Sequence, residues 1–144
     1  MYSEIDKQGW KPALDGKIRD SSKGFFAEPV IIDNPPDDSR IVIEEPFAPI
    51  IPLLKWSNED DVLERANSLQ TGLGASVWSK DVARAERMAR QLSAGSVWVN
   101  SHFDTSPKVP FGGHKQSGIG MECGMEGLKN YTNSRSLWVW KNVF

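Results

Sequence analysis

Between Ala48 and Asn100 the chain alternates three short apolar runs with two amphipathic stretches, and that alternation leaves few folds open. Ala48–Trp56 is nearly all apolar and is interrupted by Pro49 and Pro52, which suits a buried or edge strand better than a helix. Ser57-Asn58-Glu59-Asp60-Asp61 then supplies a capping side chain and acidic groups for the positive end of a helix dipole. Val62, Leu63, Ala66 and Leu69 follow at helical spacing until Gly72. Gly74–Trp78 is a strand candidate. Asp81 opens a second amphipathic helix with Val82, Ala85, Ala89 and Leu92 on its apolar side and Arg84, Glu86, Arg87 and Arg90 on its wet side. Gly95 closes it, and Ser96–Asn100 reads as another buried strand. The spacing thus predicts helices around 58–71 and 80–93 within an α/β fold, a parallel sheet built on a βαβαβ run.

The flanks are less regular. Met1–Lys23 is polar, carries Gly9, Pro12 and Gly16, and shows no sustained period, so it is expected as loop. Val30-Ile31-Ile32, stopped by Asp33-Asn34-Pro35-Pro36, reads as a strand and a turn, and Ile41-Val42-Ile43 as a second β-branched strand. After Asn100 the pattern lapses into a long loop, Ser101–Gly120, which holds Pro107, Pro110, Gly112, Gly113, Gly118 and Gly120. Loops of that length inside a domain are uncommon and often functional. A short third helix is expected near 121–131 and a closing strand over Ser136–Val143. In that strand Leu137 and Val139 occupy one face and Trp138 and Trp140 the other, so both faces need cover.

A length of 144 residues suits one domain, and 39% apolar with 25% charged residues excludes disorder and coiled coil. The net charge of −2, without any Lys/Arg block, argues against a nucleic-acid partner. No uninterrupted apolar run is long enough for a membrane span, and Met1–Asp20 lacks a basic region followed by an apolar one, so neither a membrane span nor a secretory signal is read. The single cysteine, Cys123, can form no intrachain disulfide, and with His102 and His114 it makes no metal-ligand set. A reducing compartment, the cytoplasm, is the expectation. No Gly-x-Ser-x-Gly elbow is present, and in Gly118–Gly124 the last glycine falls one place late for a dinucleotide fingerprint. From the residues alone the chain is an α/β domain with one functional-looking loop.

Four motifs go further: Glu44-Glu45-Pro46-Phe47-Ala48-Pro49; Ala66-Asn67 with Gly72-Leu73-Gly74; Ala94-Gly95-Ser96-Val97-Trp98-Val99-Asn100; and Pro110-Phe111-Gly112-Gly113-His114-Lys115-Gln116-Ser117-Gly118-Ile119-Gly120-Met121-Glu122. In order and spacing they resemble the C-terminal motifs of the NAD(P)-dependent aldehyde dehydrogenases, from about Lys23 to the last residue. The resemblance implies a poorly matched lead-in over 1–22, the C-terminal part of a catalytic domain over 23–135, and a terminal strand of oligomerisation type over 136–144.

The resemblance also assigns roles. Glu45 is the carboxylate that takes hydrogen bonds from the hydroxyls of a nicotinamide ribose, of NAD or NADP, as two acceptor oxygens can do for a vicinal diol. Without the motif, Glu44 and Glu45 read as a solvated pair. Phe47 lies against the nicotinamide or is a core aromatic. Ala48 stands where the family usually has glycine. Phe111 resembles a wall of the aldehyde substrate entrance, and Phe103 to Thr105 fall where the family varies its substrate-facing side chains. Gly112 and Gly113 permit a close backbone approach or an ordinary turn. Glu122 belongs to a proton path or complements a helix dipole. Lys115 and Ser117 are loop-packing residues, Asn100 binds backbone, and Cys123 is read as packing.

Relatives of this kind oxidise aldehydes to carboxylic acids through a thiolate, a glutamate base and a dinucleotide-binding domain. No cysteine precedes Glu45, and the first 22 residues can supply none of the three, so the chain alone is expected to be inactive, with no catalytic residue beyond Glu122. Two other readings stay open. In one the chain is a non-catalytic module whose Ser136–Phe144 strand pairs with a full-length aldehyde dehydrogenase subunit or with a second copy. In the other it is a free-standing α/β binding domain that uses the Pro110–Gly120 loop.

Overall fold

A computed structural model describes residues 1–16, 18–21 and 24–141, with backbone alone for 18–21. The chain divides into two units, Met1–Leu69 and Gln70–Phe144. The first is built around five aliphatic side chains. Its elements are α1 (Tyr2–Gln8), β1 (Pro12–Leu14), β2 (Ile18–Ser21), β3 (Gly24–Ala27), β4 (Val30–Asp33), α2 (Arg40–Ile43), β5 (Ile50–Leu53) and α3 (Glu59–Ser68). Strand alternation turns Val30 and Ile32 to one face of β4, where both are fully buried. They meet Ile5 of α1, Ile41 of α2 and Ile50 of β5, with Met1, Tyr2, Trp10 and Val42 packed around them. Each such burial contributes about 2 kcal/mol. β4 is the middle strand, antiparallel to β1 and parallel to β5 in the register Val30↔Ile50 and Asp33↔Leu53.

Two expectations for this unit are corrected. The opening stretch is not loop: it forms α1, β1 and the β2–β3 antiparallel hairpin, although Lys17, Ser22 and Lys23 lie outside the described residues. The burial of Ile5, the packing of Met1, Tyr2 and Trp10 beside it and a backbone ladder to β4 hold it, and none of these leaves a sustained period in sequence. Ile41-Val42-Ile43 is a helical turn, not a strand. The Ser39 carbonyl accepts from Val42 and Ile43 at 2.9 and 3.1 Å, and Ile41 is buried in the core. Tertiary burial overrides the β preference of these residues. The helix α3 starts as expected, with Asn58 Oδ1 accepting from the backbone N–H of Asp60 and Asp61. Arg65 ties it to the loops below through Asp37 at 2.6 Å and the Lys55 carbonyl at 3.2 Å.

The second unit contains β6 (Thr71–Gly72), β7 (Gly74–Val77), α4 (Val82–Ala89), β8 (Ser96–Val99), β9 (His114–Lys115) and α5 (Gly124–Lys129). β7 and β8 pair in parallel, Gly74↔Ser96 to Val77↔Val99, and α4 crosses both while burying Ala85, Met88 and Ala89. Asp81 caps α4 by accepting from Arg84 N–H at 3.0 Å. The expected α/β class is realised in small sheets, but the βαβαβ run does not form one parallel sheet among the described residues: β5 pairs in parallel with β4, and β7 with β8, in separate sheets. Within the long loop, β9 pairs antiparallel with β6.

The closing strand is not formed over residues 136–141, which carry no regular structure, and 142–144 lie outside the described residues. Leu137, Trp138, Val139 and Trp140 are all more than two-thirds exposed. A strand is stable only against a ladder partner and a covered face, and this stretch has neither among the described residues.

Candidate functional site

Glu45 and Phe47 lie in the first unit, on the turn between α2 and β5. Arg40 reaches from α2 and donates from Nε to Glu44 Oε2 and from Nη1 to Glu4 Oε1, each at 2.7 Å. The Glu44 hydrogen bond, then that of Glu4, holds the Arg40 guanidinium above its ordinary range. Glu44 is thus engaged, whereas the exposed Glu45 carboxylate has no hydrogen bond or ion pair among the described residues. Phe47 is 96% exposed, so it is not a core aromatic. A free carboxylate and a bare aromatic ring two residues apart can accept hydrogen bonds and offer a flat apolar face.

The loop after β8 belongs to the second unit, and three contacts fix its first residues. Asn100, in the left-handed region at φ 53°, accepts from Ser79 N–H at 2.8 Å and donates to the Ser79 carbonyl at 2.9 Å, the backbone role expected of it. His102 Nδ1 lies 2.7 Å from Ser76 Oγ on β7. Trp98 Nε1 donates to the Asp104 carbonyl at 2.7 Å. Between the last two, Phe103 also adopts a left-handed backbone, φ 57°, which costs a side-chain-bearing residue about 1–2 kcal/mol. Its ring stands edge-on to Phe111 at 5.9 Å and tilted to Trp98 at 6.2 Å.

Thr105 and Phe111 share a cleft of about 490 Å³ that is also lined by Trp98, Asp104 and Val109. Phe103 is not among its lining residues; it supports Phe111 and Trp98 from outside. Phe111 is held by a reciprocal backbone pair with Glu122, at 2.8 and 2.7 Å. Both also line a second cleft of about 420 Å³, with Leu73, Met121, Asn130 and Tyr131. Glu122 precedes the Cys123 cap of α5, and the first-turn acid of that helix is Glu126.

The glycine motif works by close approach. A Cβ at Gly95 would fall 1.7 Å from the Gly112 carbonyl oxygen, and one at Gly112 would fall 2.7 Å from that of Gly120. These positions admit only glycine, which lets the Phe111 segment lie directly on the start of β8. Ser117 packs the loop as expected, its hydroxyl accepting from Gly72 N–H at 2.8 Å. Cys123 corrects its expectation. It is exposed, at φ 60°, because its backbone makes the turn into α5, so its thiol is not packed. Ser76, Ser79 and Trp98 carried no assignment in sequence; the available signal was a serine set between Ala75 and Val77 of an apolar strand. Among the described residues no group of three His, Cys, Asp or Glu could hold a metal ion, and no helix is long and apolar enough to cross a membrane.

The model of the aldehyde dehydrogenase family matches residues 1–137, a match that begins ahead of the Lys23 start given by the motifs. Betaine aldehyde dehydrogenase of Bacillus subtilis is 44% identical over 141 residues, which take in 95% of this chain and 29% of that protein. The protein of the same name from Brucella anthropi is 42% identical over 123 residues, 85% of this chain and 25% of its own length. The solved NAD+ complex of an aldehyde dehydrogenase from Bacillus cereus matches with a TM-score of 0.89 at 38% identity, over 98% of this chain and 28% of that one. The chain spans less than a third of the length of the relatives it matches.

Proposed function

The chain belongs to the aldehyde dehydrogenase family, and from that premise we propose that residues 23–135 form the C-terminal part of a catalytic domain that oxidises aldehydes to carboxylic acids with NAD or NADP. One observation carries this reading: Thr105 and Phe111, two residues expected at the substrate entrance, line a single cleft.

In this reading Glu45 accepts two hydrogen bonds from the nicotinamide ribose diol and so fixes the ring's position, while Phe47 lies against the ring. When bound, the nicotinamide supplies the hydride acceptor. Phe111 and Thr105 bound the path of the aldehyde and keep water from it. Glu122, at the edge of the second cleft, stands on a path for protons. The covalent step needs a thiolate, and Cys123, placed after the cofactor motif and exposed at the α5 turn, is not it. These 144 residues by themselves therefore do not turn over aldehyde, and their place of action is the cytoplasm.

The test is a graft in which this chain replaces the matching segment of Bacillus subtilis betaine aldehyde dehydrogenase. NAD-dependent aldehyde oxidation by the graft is the expected outcome. A folded graft that binds NAD and aldehyde no better than buffer overturns the assignment.

A second reading rests on the exposed Leu137, Trp138, Val139 and Trp140. Residues 136–144 pair as a strand with a second subunit, either a full-length relative or another copy. Co-elution with the relative in gel filtration tests it, and elution of free chain alone counts against it.

A further inference from the structure

We infer that Ser76, Ser79 and Trp98 are positioning residues which pin alternate positions of the loop after β8, namely Asn100, His102 and Asp104, and thereby present Thr105 to the cleft that takes the aldehyde and set Phe103 behind Phe111 in its wall. The inference rests on the reading of this cleft as a substrate entrance. Three separate contacts make the pattern. The Ser79 backbone N–H and carbonyl exchange two hydrogen bonds with the Asn100 side chain, Ser76 Oγ meets His102 Nδ1 at 2.7 Å, and Trp98 Nε1 reaches the Asp104 carbonyl at 2.7 Å. The anchoring groups come from the β7 end and from β8, the parallel pair on which α4 packs, so they are the rigid side of each contact.

The spacing has a geometric consequence. With 100, 102 and 104 tied to the scaffold, 103 and 105 are left to the loop's free side. Phe103, between two pinned positions, takes a left-handed backbone although it is neither glycine nor asparagine. That conformation sets its ring edge-on to Phe111 at 5.9 Å, and Phe111 lines the cleft beside Thr105. Changing Thr105 alters the wall, and changing Phe103 alters the support behind Phe111, without altering the loop's path. Changing Ser76 or Trp98 releases the path itself. The Ser76 hydroxyl both donates and accepts, so it can meet His102 Nδ1 in either tautomer.

Limited proteolysis of the 144-residue chain by chymotrypsin tests this, because cleavage after Phe103 needs the loop to open while the exposed Tyr131 serves as an internal control. Loss of one hydrogen bond makes opening about fivefold to tenfold more frequent. Ser76→Ala and Trp98→Phe are expected to speed cleavage after Phe103 by about that factor relative to Tyr131, and Ser76→Thr, which keeps the hydroxyl, to restore the wild-type rate. Unchanged Phe103 cleavage in both Ser76→Ala and Trp98→Phe overturns the inference, as does a Ser76→Thr variant no slower than Ser76→Ala. Phenylacetaldehyde separates the two claims. If it fails to slow Phe103 cleavage in the wild type while the variants behave as expected, the pins stand and the substrate-entrance reading falls.

Discussion

Arg40 engages Glu44 at 2.7 Å and leaves Glu45, the next residue, without a partner among the described residues. The two neighbouring carboxylates are therefore not equivalent. In the graft described above, Glu45→Gln is expected to raise the KM for NAD by tenfold or more, since a hydrogen bond to a charged group is worth roughly 1.5–3 kcal/mol. Glu44→Gln is expected to leave that KM near its starting value, because its bonds are spent within the first unit. Steady-state kinetics in NAD at saturating aldehyde checks both, and equal effects would show that Arg40 does not sort them.

The contact of Gly95 with Gly112 predicts a cost for the smallest side chain. In Gly95→Ala the new methyl would meet a backbone oxygen at 1.7 Å, so β8 and the Phe111 segment must move apart. The expected destabilisation is about 3 kcal/mol, at the upper end for overpacking. Urea unfolding followed by tryptophan fluorescence measures it. Gly118→Ala is a useful contrast: nothing stands within 4 Å of a Cβ there, and only the positive φ of 131° opposes the substitution.

What was legible in the sequence is what local chemistry decides. Asn58 and Asp81 cap helices because a short polar side chain ahead of an amphipathic run has orphan N–H groups to serve. Asn100 binds the Ser79 backbone for a similar reason. The conformation of Ile41–Ile43 is set by the burial of Ile41 among residues from three other elements, α1, β4 and β5, which no window of neighbours contains. The first 16 residues give no signal because the apolar side chains that pack there, Met1, Tyr2, Ile5 and Trp10, follow no sustained period. In the candidate site a motif points to Thr105 and Phe111, but the Ser76 hydroxyl that holds their loop at His102 acts from β7 on the chain beyond β8, a relation invisible until the strands pair.

Cap removal gives a modest and local effect. Asn58→Ala and Asp81→Ala are each expected to cost about 1 kcal/mol, the first in the unit that contains α3 and the second in the unit that contains α4. Amide hydrogen exchange resolves the two: faster exchange is expected in the first turn of the altered helix, with the other helix unchanged. Serine in place of either residue is expected to restore most of the loss.

Cys123 is the one thiol, and its exposure makes a separate prediction. A thiol reagent such as Ellman's is expected to label it stoichiometrically in the folded chain without denaturant. In the graft, Cys123→Ser is expected to leave aldehyde oxidation unchanged, as its thiol has no place in the covalent step. Turnover abolished by this substitution would make Cys123 the nucleophile and reverse the assignment of the whole site.

The tail carries the last prediction. Leu137, Trp138, Val139 and Trp140 are 76%, 84%, 69% and 83% exposed, an apolar stretch of four consecutive large residues. Such a stretch is costly in water, and its residues favour the extended backbone that a strand partner would satisfy. The chain is therefore expected to self-associate with rising concentration, seen as an increasing weight-average mass in sedimentation equilibrium. Trp138 and Trp140 lie on the same side of an extended segment, so the Trp138→Ser, Trp140→Ser double variant removes one face while sparing the backbone. If association is by strand pairing through that face, the variant shifts the equilibrium toward monomer without changing the far-UV circular dichroism of the two units. If the mass distribution is unaltered, the exposed side chains of β5, Ile51 and Leu53, become the surface to substitute next.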